Sequence, residues 1–198
     1  SVPVDKKKIS KVIIIVIAAI AAIAAIFYGV SASKEKKAQE AAAQALSNYS
    51  DNFDLCVSTM YLGALQAEEA GGLIHDVWYN TIYEERDTST DKFTRPKGYF
   101  NDDFNDSLSN LFNDSSFQSD ILDIKANQDL VASLMKDLKN PPDEYKDAYD
   151  ALKDLYEVYT DLTQCAVDPS GNLTSYTSSF NTADSDFVKY YKAVKLYQ

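Results

Sequence analysis

The chain has 198 residues, 45% hydrophobic and 25% charged, with a net charge of −11, which suits one domain plus a targeting segment. Residues 1–37 hold seven lysines against Asp5 and Glu35, a net +5, which leaves the remainder at −16. A body that acidic repels phosphate backbones, and with Arg86 and Arg95 as its only arginines it has no clustered basic face, so nucleic acid is excluded as a partner.

The first element is the uncharged run Val12–Val30. Its 19 residues would span about 28 Å as a helix, close to the ~30 Å hydrocarbon thickness of a bilayer. Signal-peptide cores are shorter, about 7–15 residues, so length favours a retained single-pass signal-anchor. The small residues of Val30-Ser31-Ala32 supply the alternative, a secreted protein whose residues 1–32 are cleaved away. More lysines precede the run than follow it, which places the N-terminal residues 1–11 in the cytoplasm and the body from 31 onward outside the cell membrane. Within the run, Ala21, Ala25 and Gly29 recur every four residues and share one helix face. That small-xxx-small spacing permits close helix approach, so a homodimer is one expected assembly.

Beyond the run, apolar residues follow helical spacing. Ala42, Leu46, Tyr49, Phe53, Cys56, Met60, Gly63, Ala67, Ala70, Ile74 and Val77 alternate by four and three, the seam of a long, coiled-coil-like first helix over about residues 34–85. Gly71-Gly72 marks either a kink or a tight contact. A second helix is expected from a capping box at Ser115 and Gln118, with a stripe from Phe117 to Leu138, and must stop before Pro141-Pro142. A third runs from Pro142 with Tyr145, Ala148, Leu152, Leu155, Tyr159, Leu162 and Ala166. Asp168-Pro169-Ser170-Gly171-Asn172 is a turn, and a fourth helix carries Tyr176, Phe180, Ala183, Phe187, Tyr190, Val194 and Tyr197. The Ser/Thr-rich first half of that helix is expected to fray. Short connections imply antiparallel neighbours. The expected fold is therefore all-α: a transmembrane helix followed by an antiparallel bundle of about four helices, with a long first helix. Tyrosines at core positions each need a partner for the hydroxyl or a route to solvent.

Residues 87–114 read as an irregular insertion with a repeated Phe-Asn-Asp, in which Phe100, Phe104, Leu108 and Leu111 make one short helix. The first helix, about 75 Å long, outreaches partners of about 35–40 Å. Its stretch with Tyr49, Phe53 and Cys56 therefore needs cover, from a break at the glycines, from residues 99–113, or from a second copy.

Chemistry-bearing motifs are sparse. The chain lacks HExxH, GxSxG, the ExxH pairs of di-iron bundles and CxxC spacing, and the Asp-rich stretch from Asn101 to Asp106 lacks the pattern of a calcium loop. No catalytic, metal or cofactor site is expected. The most unusual stretch holds the only His and the only Trp, and His75, Asp76, Trp78 and Tyr79 are the candidate interaction or ligand residues. In it His75 would pair with Asp76, or with Glu68 two turns back; the plainer reading is a packed Trp and a surface His. Register argues against a Cys56–Cys165 disulfide, since Cys165 falls near the far end of its helix.

These features point to a membrane-anchored, extracytoplasmic bundle acting by interaction with an unknown protein partner, as a surface adaptor, an assembly factor or an exclusion or immunity-type protein. A ligand-sensing bundle is the alternative; with about eleven residues before the run, it would signal through a partner subunit. An enzyme using His75, Asp76 and the 87–114 stretch is the third class. In a transmembrane-segment association reporter, Ala25→Leu is expected to reduce self-association of the 12–30 segment; an unchanged signal would show that the small-residue face is not used.

Overall fold

The computed structural model of the chain describes residues 34–198, and the secondary structure among them is all helical. In chain order the elements are α1 (Lys34–Ile82), α2 (Asp91–Thr94), α3 (Phe104–Phe112), α4 (Ser115–Leu138), α5 (Lys146–Val167) and α6 (Leu173–Val194), with 3₁₀ turns at Asp143–Tyr145 and Lys195–Tyr197. The expected membrane run 12–30 and its Ala21, Ala25 and Gly29 face lie outside the described residues. Among those described, no helix is long and apolar enough to cross a membrane.

The chain divides into two units, the first ending at Asp51 and the second spanning Asn52–Gln198. In the first, α1 carries Ala42 exposed and Leu46 and Tyr49 half-buried, and the Gln44 amide donates to Asn48 Oδ1 one turn on, at 2.8 Å.

The second unit is a four-helix bundle of α1, α4, α5 and α6. Cross-helix contacts set its directions. Asn127 of α4 meets α1 at Thr59, and Gln128 meets α5 at Thr163. Along α1, Phe53 lies beside Tyr145 just ahead of α5, while Gly63 lies beside Tyr159. In the opposite sense, Gly71 faces Tyr176 of α6, Tyr61 stacks on Tyr191, and Asp54 accepts from Gln198. Helices α4 and α6 thus run antiparallel to α1, and α5 runs parallel to it. The seam read from the sequence is the core: Phe53, Cys56, Met60, Ala67, Ala70, Ile74 and Val77 are buried, as are Leu152, Leu155, Tyr159 and Leu162 of α5.

Cover for Phe53 and Cys56 comes from the bundle itself, not from a break at the glycines or from residues 99–113. Pro141 and Pro142 end α4 and start α5 at that level, and the Tyr145 ring packs edge-on against Phe53 at 5.9 Å. The 99–113 segment packs at the other end, where Phe104 stacks on Trp78. Nor does α1 break at its glycines. Gly71 is a contact point whose missing side chain admits the Phe180 ring, whereas Gly72 faces open space.

Helix starts follow local chemistry with small shifts from expectation. The cap of α4 is Asp114, which accepts from the backbone N–H of Ser116 and Phe117, while Gln118 donates to Phe112 C=O. Lys92 and those backbone donors hold the Asp114 carboxyl below its usual range. Helix α5 begins as a 3₁₀ turn after Pro142. At α6, Asn172 and Ser175 form a reciprocal capping box that fastens the Ser/Thr-rich half, and Thr177 Oγ1 donates to Leu173 C=O at 2.7 Å. Gly171 precedes that cap with φ of 91°, a region costly to residues with a Cβ.

The 87–114 stretch forms a packed cap containing α2 and α3. Asn101 Nδ2 donates to Phe93 C=O and Ser107 Oγ, Asn110 Nδ2 donates to Phe93 C=O, and Asn80 Nδ2 reaches Thr90 Oγ1 at 2.9 Å. The Phe-Asn-Asp repeat thus supplies ring contacts, cross-links and a helix cap.

The two adjacent glycines should respond oppositely to alanine. Gly71→Ala forces its Cβ into the Phe180 ring, and overpacking of this kind costs about 1–3 kcal/mol. Gly72→Ala meets nothing and gains up to about 1 kcal/mol of helix propensity. Urea denaturation of both variants measures the contrast.

Candidate functional site

The last three turns of α1 bring three of the four candidate residues to one exposed edge. His75 Nδ1 lies 3.0 Å from Asp76 Oδ1. The His75 ring stacks on Tyr79 at 5.8 Å, and Tyr79 meets Tyr83 at 4.5 Å with a 39° tilt. These rings sit at i, i+4 and i+8, one above another on a helix. Tyr79, Ile82 and Tyr83 are 40%, 44% and 58% exposed. The helix stops directly beyond them: Glu85 N–H donates to Asn80 C=O at 3.0 Å, and Glu84 holds φ of 53°. This is a Schellman stop with a glutamate where glycine is usual.

Trp78 points the other way. It is 3% exposed, stacked on Phe104 of the cap at 5.3 Å and tilted against Tyr176 of α6 at 5.7 Å. Its neighbours make it the joint between cap and bundle. Glu68 pairs across the interface with Asp184 of α6, while His75 takes Asp76.

The opposite wall of the site comes from α6. Leu173, Thr174, Thr177, Ser178 and Asn181 line a shallow groove of about 380 Å³ with His75, Tyr79 and Tyr83. Sequence reasoning did not reach these α6 residues or Tyr83. The signal was present in the Ser/Thr-rich half of α6, which reads as a weak helix until the capping box and the facing tyrosines are seen.

A second concavity of about 490 Å³ lies between α5 and α6, where Asp161, Asp168 and Asp186 surround Cys165 and Tyr176. Burial, and then the Asp161 charge, raise the Cys165 thiol pKa. Burial alone pushes Cys56 up to about 12. Both are free thiols held in the protonated form at neutral pH, the opposite of an activated nucleophile. Among the described residues, no group of three or more His, Cys, Asp or Glu side chains is arranged to hold a metal ion. Comparison with protein-family models, curated proteins and solved structures finds no match for this chain.

The Glu68 carboxyl is pushed up to about 7, first by partial burial and then by the hydrogen bond and charge of Asp184. The folded state therefore binds this proton more tightly than the unfolded chain, where glutamate titrates near 4.5. The associated stability is full below pH about 4.5 and is lost as pH rises through about 7. Glu68→Gln should flatten that loss, so that in urea denaturation the variant gains on the parent at pH about 8 and not at pH about 4.5.

Proposed function

We propose that this protein is a membrane-anchored, extracytoplasmic helical bundle that works by binding another protein through the edge formed by Tyr79, Ile82 and Tyr83. The observation that carries the reading is the exposed ring ladder itself. Tyrosine supplies large, stiff contact area with a polar tip, and tyrosine, tryptophan and arginine dominate interface hot spots. Two tyrosines and an isoleucine exposed together on one helix end are costly to leave in water, and a partner surface recovers that cost. The ladder stands on turns of α1 that Trp78 packs against the cap and α6, which pre-organises the rings and limits the side-chain entropy lost on binding.

The anchor and the orientation rest on the 19-residue run of residues 12–30 and its lysine flanks. The −16 charge of the body keeps it soluble and favours a partner with a basic surface.

A photo-crosslinking side chain at position 83 in intact cells should give one discrete adduct that Tyr79→Ala abolishes. The same probe at Ser133, exposed on α4, should give none. Equal labelling from both positions would remove this edge as the binding site. Protease added to intact cells should digest the bundle; full protection would overturn the outward orientation.

A further inference from the structure

The groove beside the ring ladder has two unlike walls, and together they define a ligand chemistry. One wall is aromatic, with the His75, Tyr79 and Tyr83 rings in successive contact along α1. The other is a row of hydroxyl and amide groups on α6: Thr174, Thr177, Ser178 and Asn181, at i, i+3, i+4 and i+7. No carboxylate, lysine or arginine lines it. The part of a ligand that enters must therefore be uncharged, with apolar rings for one wall and hydrogen-bonding groups for the other.

Among the described residues, the Tyr79, Tyr83, Thr174 and Ser178 hydroxyls and the Asn181 amide make no hydrogen bond within the chain. Each can donate to a carbonyl. A polyproline II segment suits this need, because it has no internal hydrogen bonds and leaves its carbonyls free, and proline brings no N–H to be satisfied. Its length fits as well. The ladder from position 75 to 83 rises about 12 Å, at 1.5 Å per residue, and about four residues of polyproline II cover that distance at 3.1 Å each. An amphipathic helix would need a longer apolar seam.

Charge supplies the flanks. The Asp76 carboxyl is 57% exposed at one end of the ladder, and Glu84 and Glu85 are exposed just past Tyr83 at the other. Arg86 follows them, drawn toward Asp91 at 3.9 Å. A neutral groove bracketed by carboxylates matches a neutral core with a basic flank. A glycan would satisfy the hydroxyl row and leave both acidic ends without a counter-charge.

We propose that the groove between the C-terminal turns of α1 and the first half of α6 binds a short, extended, proline-rich segment of the partner protein with a basic residue at its edge. The proposal rests on the reading of the aromatic edge as a protein-binding site and names what that site takes.

The test is fluorescence anisotropy with the 198-residue chain in detergent. The probe is a labelled synthetic peptide of about ten residues, proline-rich with one terminal arginine. Saturable binding that weakens with added salt is expected, together with loss of binding when alanines replace the prolines. Tyr83→Ala and Asn181→Ala both alter exposed side chains, and each should weaken binding about tenfold with helical circular dichroism unchanged. Absence of saturable binding would overturn the proposal, as would equal affinity for both variants and the parent. So would a neutral oligosaccharide binding in the peptide's place with the same sensitivity to Tyr83→Ala. If the position-83 crosslink forms while the peptide fails to bind, the protein-binding reading stands and this one falls.

Discussion

The bundle depends on one steric arrangement: α1 presents small residues where its neighbours present rings. Gly63, Ala64, Ala67, Ala70 and Gly71 are all buried on that helix, and a side chain on Gly63 would collide with Asn127 and Tyr159, one on Gly71 with Phe180. Close approach lets the ring-bearing helices satisfy their polar tips inside the core. Tyr159 donates to Asn127 Oδ1 at 2.6 Å, and Asn127 in turn donates to Thr59 C=O. Tyr176 donates to Gly71 C=O at 3.2 Å. Burial raises the pKa of both phenols, which keeps them as neutral donors. A core built this way buries large rings without orphaned hydroxyls, and it ties α1, α4, α5 and α6 by bonds that specify register.

The same arrangement makes the candidate site. Tyr176 anchors α6 at the level of Gly71, and Trp78 packs on Tyr176 and on Phe104 of the cap. That sandwich holds the last turns of α1 from two sides. The side chains on its remaining face, His75, Tyr79 and Tyr83, are then presented beside the α6 hydroxyl row. The Schellman stop at Glu84 ends the ladder and redirects the chain into the cap. The exposed rings thus stand on turns of α1 held by the Trp78 packing.

Electrostatics work against the packing at Glu68. Glu68 and Asp184 meet between α1 and α6, where two carboxyls share a partly buried space. Most of the acidic surface is solvated, and exposed pairs such as Lys153–Asp150 and Lys146–Asp143 link neighbouring turns of α5 and its entry, worth little individually. Lys92–Asp114 has more consequence, because it ties α2 to the cap residue of α4 and so joins the two halves of the 87–114 stretch to the bundle.

The sequence by itself determined the helical class, the four long helices, the seam of α1 from Phe53 to Val77 and the turn at residues 168–172. Each is written in local spacing or in proline and glycine chemistry that acts within a few residues. It also singled out His75, Asp76 and Tyr79, which share an edge, and Trp78, which lies in the core beneath them. Tertiary structure decided the rest. Gly71 could be read as a kink or a contact until Phe180 was seen to fill it, while the cover over Phe53 and the cap over Trp78 depend on residues about 90 and 26 positions away along the chain. The groove needed both walls: a Ser/Thr-rich helix start carries no functional meaning in one dimension, and becomes a row of hydrogen-bonding groups only when packing sets it against Tyr79 and Tyr83. Periodicity reports which face of an element is buried, but which element faces it is settled only by packing in three dimensions.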